Sequence, residues 1–179
     1  MTLVCLKQVR EDPYYWKWAV VALHNSLQGF MVCALSDAEG YNVLKDRVAA
    51  RIKKAKEKGE KPPPPELDTF LNLYGKVKSD RMLLGEKSRV FRGDAEKDRA
   101  IRQLNRLRNA FLHFKQKQWH TDVKNLPPVF SACLQIIHFL FFQSGNIQAD
   151  QEERQRVSFL LNQLKEELRL TAAYYETSP

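Results

Sequence analysis

Apolar side chains recur three and four residues apart along most of the chain, and that spacing predicts helices. Asp12-Pro13 reads as a helix start, with aspartate as N-cap and proline in the first helical position. The helix it opens is expected to run to about Ser36, carrying the stripe Trp16, Val20, Leu23, Leu27, Phe30 and Ala34. Leu67, Phe70, Leu71, Tyr74 and Val77 predict a second helix between Glu66 and Lys78. A long third helix is expected from Asp94 to Trp119. Asp94 serves as its N-cap, acids crowd its first turn, Lys115 and Lys117 its last, and Leu104, Leu107, Phe111 and Phe114 share one arc. The run from Val129 to Phe142 is apolar nearly all round, started by Pro127-Pro128 and closed by Gly145, so it is expected to be the most buried helix. Gln135 and His138 interrupt it, and it reads as too short to span a membrane. Asp150, with Glu153 three residues on, forms a capping-box variant. The helix that follows has the stripe Val157, Leu160, Leu161, Leu164, Leu168 and Ala172. No stretch alternates as strands do. The expectation is all-α, a bundle of about five helices in a single domain over residues 1–179.

Residues 42–65 break the pattern. Lys45, Arg47, Arg51, Lys53, Lys54, Lys56, Lys58 and Lys61 outnumber Asp46, Glu57 and Glu60, and four prolines from Pro62 to Pro65 follow. Residues 42–61 are helix-permissive but strongly basic, and with the prolines they read as an excursion from the bundle, partly disordered without a partner. It is either a solvated loop or an electrostatic arm in which Lys53, Lys54, Lys56 and Lys58 follow a phosphate backbone.

Charge then narrows the partners. With 29 basic against 21 acidic residues the chain carries a net +8, which suits an acidic partner: RNA, DNA or an anionic membrane. Cys5, Cys33 and Cys133 are far apart in apolar surroundings and read as reduced core residues of a cytoplasmic protein. Lys7, Arg10, Glu11 and Asp12 interrupt any leader-like apolar run. No Gly-rich phosphate loop, HExxH or paired metal-ligand spacing occurs, so no metal and no cofactor is expected.

The candidate chemistry lies in Arg108-Asn109-Ala110-Phe111-Leu112-His113. Arg108 falls on the edge of the apolar arc of its helix, while Asn109 and His113 form an i,i+4 pair on the neighbouring face. Earlier, His24 and Asn25 interrupt the apolar centre of the first long helix. His24 is either a hydrogen-bonded core histidine or a supporting group near Arg108 and His113. Trp16 and Trp18 could stack on bases but more simply fill a core.

Arg-Asn-x-x-x-His resembles the signature of the HEPN superfamily, small helical bundles that include metal-independent ribonucleases of prokaryotic defence and toxin–antitoxin systems. The family pattern is an Arg, a short spacer and a His, often with a polar residue directly after the Arg. Arg106 satisfies a looser spacing and rivals Arg108 as the motif arginine; Asn109 favours Arg108. The resemblance implies a metal-independent endoribonuclease, a toxin or phage-defence effector, in which the 2′-hydroxyl attacks the adjacent phosphorus. His113 would move the proton, Arg108 hold the phosphorane oxygens, and Asn109 orient the imidazole or contact the phosphate. Lys53, Lys54, Lys56, Lys58 and Arg106 would contact RNA. Within one helix Arg108 and His113 point about 140° apart. The family's solution, a homodimer whose two motifs build one composite groove, is therefore expected here, with an antitoxin or other neutralising protein as a further partner and no membrane. Lys115 stands where toxins controlled by a nucleotidyltransferase antitoxin typically carry tyrosine, which puts that regulation in doubt. The alternative is a catalytically inactive HEPN-like binding or dimerisation module.

Overall fold

The computed structural model describes residues 1–112 and 122–177. Among these residues are seven α-helices: α1 Thr2–Gln8, α2 Tyr15–Leu35, α3 Asp46–Glu57, α4 Phe70–Val77, α5 Ala95–Leu112, α6 Leu126–His138 and α7 Gln151–Thr177. Two 3-10 turns, Asp80–Met82 and Val123–Asn125, and a π turn, Phe139–Gln143, lie between them. The described residues form no strand, and Leu44 and Leu67 meet in an isolated bridge. The chain is all-α as expected, with seven helices where about five were expected; the additions are α1 and α3.

Helix α2 packs against α1, α4, α5 and α6, and its stripe supplies Trp16, Val20, Leu23, Leu27 and Ala34 to the core. It begins at Tyr15, later than Asp12-Pro13 suggested, because Asp12 Oδ1 accepts from the Tyr14 N–H (2.9 Å) and closes a turn ahead of the helix. Both acidic caps further along form as the sequence proposes. Asp94 Oδ1 accepts from the Lys97 N–H at 2.9 Å. Asp150 and Glu153 exchange backbone-to-carboxylate bonds of 3.1 and 2.8 Å, a complete capping box.

Helix α6 opens with prolines in its first turn and buries Val129, Phe130, Ala132, Cys133, Leu134, Ile136 and Ile137. The 3-10 turn before it and the π turn after it lengthen this stretch to 21 residues, Val123–Gln143, at mean hydropathy 1.4. It and Tyr15–Leu35 are therefore long and apolar enough to cross a bilayer, which corrects the expectation from length; 61% and 44% of their apolar windows are buried inside the bundle.

Helix α7 lies on α6 and α1 through Leu161, Leu168 and Tyr175. These recur every seventh residue, so they keep to one face. Leu160, expected in the stripe, sits off that face and is exposed, whereas Glu167 is buried and pairs with Arg10 at 2.6 Å. Cys5 and Cys133 are buried thiols, but Cys33 is exposed, so only two of the three cysteines are core residues.

The basic excursion carries an ordered helix. Val48, Ala49, Ile52 and Ala55 of α3 are buried, and Lys53 and Lys56 lie over the Tyr41 ring, 4.9 and 5.1 Å from its centroid. At its base Lys45 pairs with Glu66, and the Asp68 N–H donates to Val43 O at 2.9 Å. Lys76 of α4 is buried and fastens the whole excursion: its Nζ lies 2.6 Å from Asp68 Oδ2 and 3.1 Å from Asp46 Oδ1. Burial pushes the Asp68 carboxyl up, but hydrogen bonds from Lys76, Asn72 and the Thr69 N–H outweigh it and hold the group below the ordinary carboxylate value.

Candidate functional site

Helix α5 buries Ala100, Ile101, Leu104 and Leu107, and this arc sets where its polar side chains emerge. One turn beyond Leu104, Arg108 is half-buried; its Nε lies inside without a hydrogen-bond partner, and its Nη1 donates to Asn109 Oδ1 at 3.0 Å. A guanidinium carries five fixed donors, so an inward Nε–H left unbonded is costly unless something else meets it.

His24 of α2 faces it. The ring is 2% exposed, stacks on Phe70 of α4 with centroids 3.9 Å apart and planes 23° apart, and places Nε2 3.3 Å from Asn105 Oδ1. With Nε2–H donating to Asn105, Nδ1 keeps its lone pair, and that atom is buried without a partner. Burial pushes the imidazole below its ordinary value, the Asn105 hydrogen bond pulls it back, the Arg108 charge lowers it again, and the Asn25 side chain raises it. Burial thus favours the neutral imidazole, with Nε2 oriented by Asn105.

His24, Gln28, Thr69, Phe70, Leu71, Asn105, Arg108 and Asn109 line a groove of about 490 Å³ between α2, α4 and α5. Three contacts fix its walls relative to one another. His24 and Asn105 join α2 to α5, and Tyr74 of α4 donates to Asp98 Oδ1 of α5 at 2.8 Å. Lys78, just past α4, bonds both Asp98 oxygens at 2.7 and 2.8 Å. Thr69 caps α4 by accepting from the Asn72 N–H, which sets Phe70 and Leu71 at the groove edge.

Of the residues singled out from the sequence, Arg108 and Asn109 stand together here. His113 lies outside the described residues. Arg106 is exposed and does not line the groove, which leaves Arg108 as the arginine the fold places there. Lys53, Lys54 and Lys56 on α3, and Lys58 just past its end, are exposed and lie away from the groove lining. Of the two tryptophans, Trp16 is core, its Nε1 donating to the Tyr175 hydroxyl at 3.0 Å, while Trp18 is 54% exposed. No set of three His, Cys, Asp or Glu side chains that could hold a metal ion occurs among the described residues. Asn105 and Gln28 were not singled out from the sequence. Asn105 lies three and four residues before Arg108 and Asn109, so its position on the same helical side was the available signal.

No family model, curated protein or solved structure matches this chain.

The groove brings together a neutral imidazole, a guanidinium and several amides, groups that can together receive a phosphodiester. The guanidinium would hold anionic oxygens, and the imidazole would accept or relay a proton near pH 7.

Proposed function

We propose that the chain is a metal-independent endoribonuclease of HEPN type, a toxin or phage-defence effector that binds RNA through the groove containing Arg108. In this reading the 2′-hydroxyl attacks the adjacent phosphorus. His113 moves the proton, Arg108 neutralises the charge growing on the phosphorane, and Asn109 fixes the geometry. The products are a 2′,3′-cyclic phosphate and a 5′-hydroxyl. His24, neutral and oriented by Asn105, supports the same groove from α2. The observation that carries the reading is that Arg108 and Asn109 line one groove with His24, whose imidazole Asn105 orients.

A homodimer completes the site. Leu71 at the groove edge and Leu112, one turn past Arg108, are 41% and 39% exposed and offer apolar surface for a symmetric partner. The test is cleavage of a mixed RNA pool by wild type and Arg108→Ala in excess chelator, with the new termini identified. Wild type should yield cyclic-phosphate termini and the variant none. RNA left intact by wild type overturns the reading.

One observation favours a catalytically inactive binding module instead: Arg108 and Asn109 bond each other at 3.0 Å, as a purely structural pair would. Intact RNA that nevertheless binds the wild-type dimer selects that alternative.

A further inference from the structure

A second groove, of about 880 Å³, lies between the connection after α4, helix α6 with its π turn, and α7. Its lining includes Arg89, Arg92 and Lys165, together with Phe139, Gln135 and Gln143. None of Arg89, Arg92 and Lys165 has a carboxylate within ion-pair distance among the described residues, and all three are exposed. Lys97 also borders the groove but is held by Asp94 at 2.6 Å, and Asp80 is the carboxylate in the lining. Three cations without an ion-pair partner against the one carboxylate of Asp80 leave the concavity a net positive field.

The wall that presents Arg89 and Arg92 has no regular secondary structure, yet it is pinned at several points. The Arg89 N–H donates to Ser144 O at 2.8 Å and the Phe91 N–H to Val77 O at 3.1 Å. Ser88 Oγ donates to Asn146 Oδ1 at 2.6 Å, and Asn146 Nδ2 reaches both Ala34 O and Met82 O at 2.8 Å. Gly145 permits this close seating: its φ is +78°, and a Cβ there would stand 2.4 Å from Lys87 O. The two arginines are therefore carried on preformed backbone, which needs little ordering to meet a ligand.

The opposite wall supplies a different chemistry. Phe139 is half-buried, with Phe91 packed at 5.1 Å behind it, and Gln135 and Gln143 are exposed amides. The segment Phe139–Gln143 is a π turn, a local widening that recurs at ligand sites. An aromatic face flanked by amides suits a planar base with hydrogen-bonding edges, and guanidinium forks suit phosphate oxygens.

We infer that this groove binds a nucleotide, its phosphates on Arg89, Arg92 and Lys165 and its base against Phe139 with Gln135 and Gln143 at its edge. The inference does not depend on the Arg108 groove or on RNA cleavage. The nucleotide is either free or one unit of a single-stranded RNA, and the chemistry at the groove is the same.

The experiment uses the full chain carrying His113→Ala, so that bound RNA stays intact. Fluorescent ATP and a short labelled single-stranded RNA are titrated separately, each with unlabelled ATP and inorganic triphosphate as competitors. Arg89→Ala/Arg92→Ala should weaken binding about ten-fold or more, the scale of losing charged hydrogen bonds. Lys53→Ala/Lys54→Ala removes equal charge outside the groove and should leave ATP binding unchanged. Phe139→Leu should weaken ATP but not triphosphate. ATP binding weakened in Arg89→Ala/Arg92→Ala assigns a free nucleotide, whereas RNA binding weakened by that pair without ATP binding assigns a strand; either supports the groove. Binding of neither probe, equal weakening of ATP binding by the α3 variant, or full binding of both probes by a folded Arg89→Ala/Arg92→Ala protein overturns it.

Discussion

Asn105 Oδ1 lies 3.3 Å from His24 Nε2, and this contact ties the buried imidazole of α2 to the helix that carries Arg108. It orients the ring within the groove wall. Burial of that ring makes stability pH-dependent. Burial, and to a smaller degree the Arg108 charge, hold the imidazole below its ordinary value near 6.5, against the pull of the Asn105 bond. Below that value the unfolded chain binds a proton at His24 that the folded chain resists.

The resulting stability is fully present above about pH 6.5 and declines as pH falls from there toward the lower folded value. His24→Gln removes the titrating group and should flatten this part of the profile. Urea midpoints of wild type and variant, at about pH 7.5 and about pH 5.5, measure it. Equal losses in the two proteins would show that the His24 ring titrates freely in the folded chain.

A second stability prediction concerns the foot of α3. The Lys76 and Asp68 side chains are 8% and 4% exposed and 2.6 Å apart, so neither charge has much water. Lys76→Met strands the Asp68 carboxylate and should cost about 3–5 kcal/mol, whereas Lys76→Met with Asp68→Leu should recover much of it. The Asp68 share of stability is present above the ordinary carboxylate value of 3.8 and is lost as pH falls below it. Denaturant unfolding of the single and double variants checks both. A single-variant cost below about 1 kcal/mol would place this pair with ordinary surface ion pairs.

That same contact marks where reading the sequence stops. Helices α2, α5, α6 and α7 were legible because their apolar residues repeat at helical spacing and their caps, Asp94 and the Asp150–Glu153 pair, act locally. Helix α3 was not, since its buried residues are few and small among many lysines, and what holds it is Lys76, more than twenty residues away from Asp46 along the chain. Leu160 was misplaced because a window of apolar residues does not say which side of α7 meets α1 and α6; Glu167 joins the buried side only through Arg10. His24 was visible as a polar break in an apolar stripe. Its meeting with Arg108 depends on how α2 crosses α5, which neither segment encodes alone.

The lysines of α3 give a third prediction. Lys53, Lys54, Lys56 and Lys58 are exposed, and two of them rest on Tyr41. Replacing all four by Ala should weaken RNA binding and lower its salt slope by about one unit per lost phosphate contact. Turnover of RNA already bound should change little. Binding measured by anisotropy across a salt series tests this, and an unchanged slope would leave α3 as a solvated face.

The last prediction separates catalysis from architecture. His113→Ala should lower metal-free RNA cleavage by roughly 10²–10⁴-fold while circular dichroism and the dimeric mass stay unchanged. Arg108→Met should also remove cleavage, but with a distinctive stability. The inward Arg108 Nε has no hydrogen-bond partner, so methionine of similar length removes a buried unsatisfied donor while keeping the packing of the stem. Folding stability should therefore hold or rise, by up to about 2 kcal/mol, as activity disappears. A residue kept for structure would show the reverse, loss of stability with activity per folded molecule preserved. Parallel urea unfolding and cleavage assays of wild type, His113→Ala and Arg108→Met in chelator decide between them. Wild-type activity that vanishes with chelator, or a folded His113→Ala protein that cleaves as fast as wild type, would rule out the proposed mechanism.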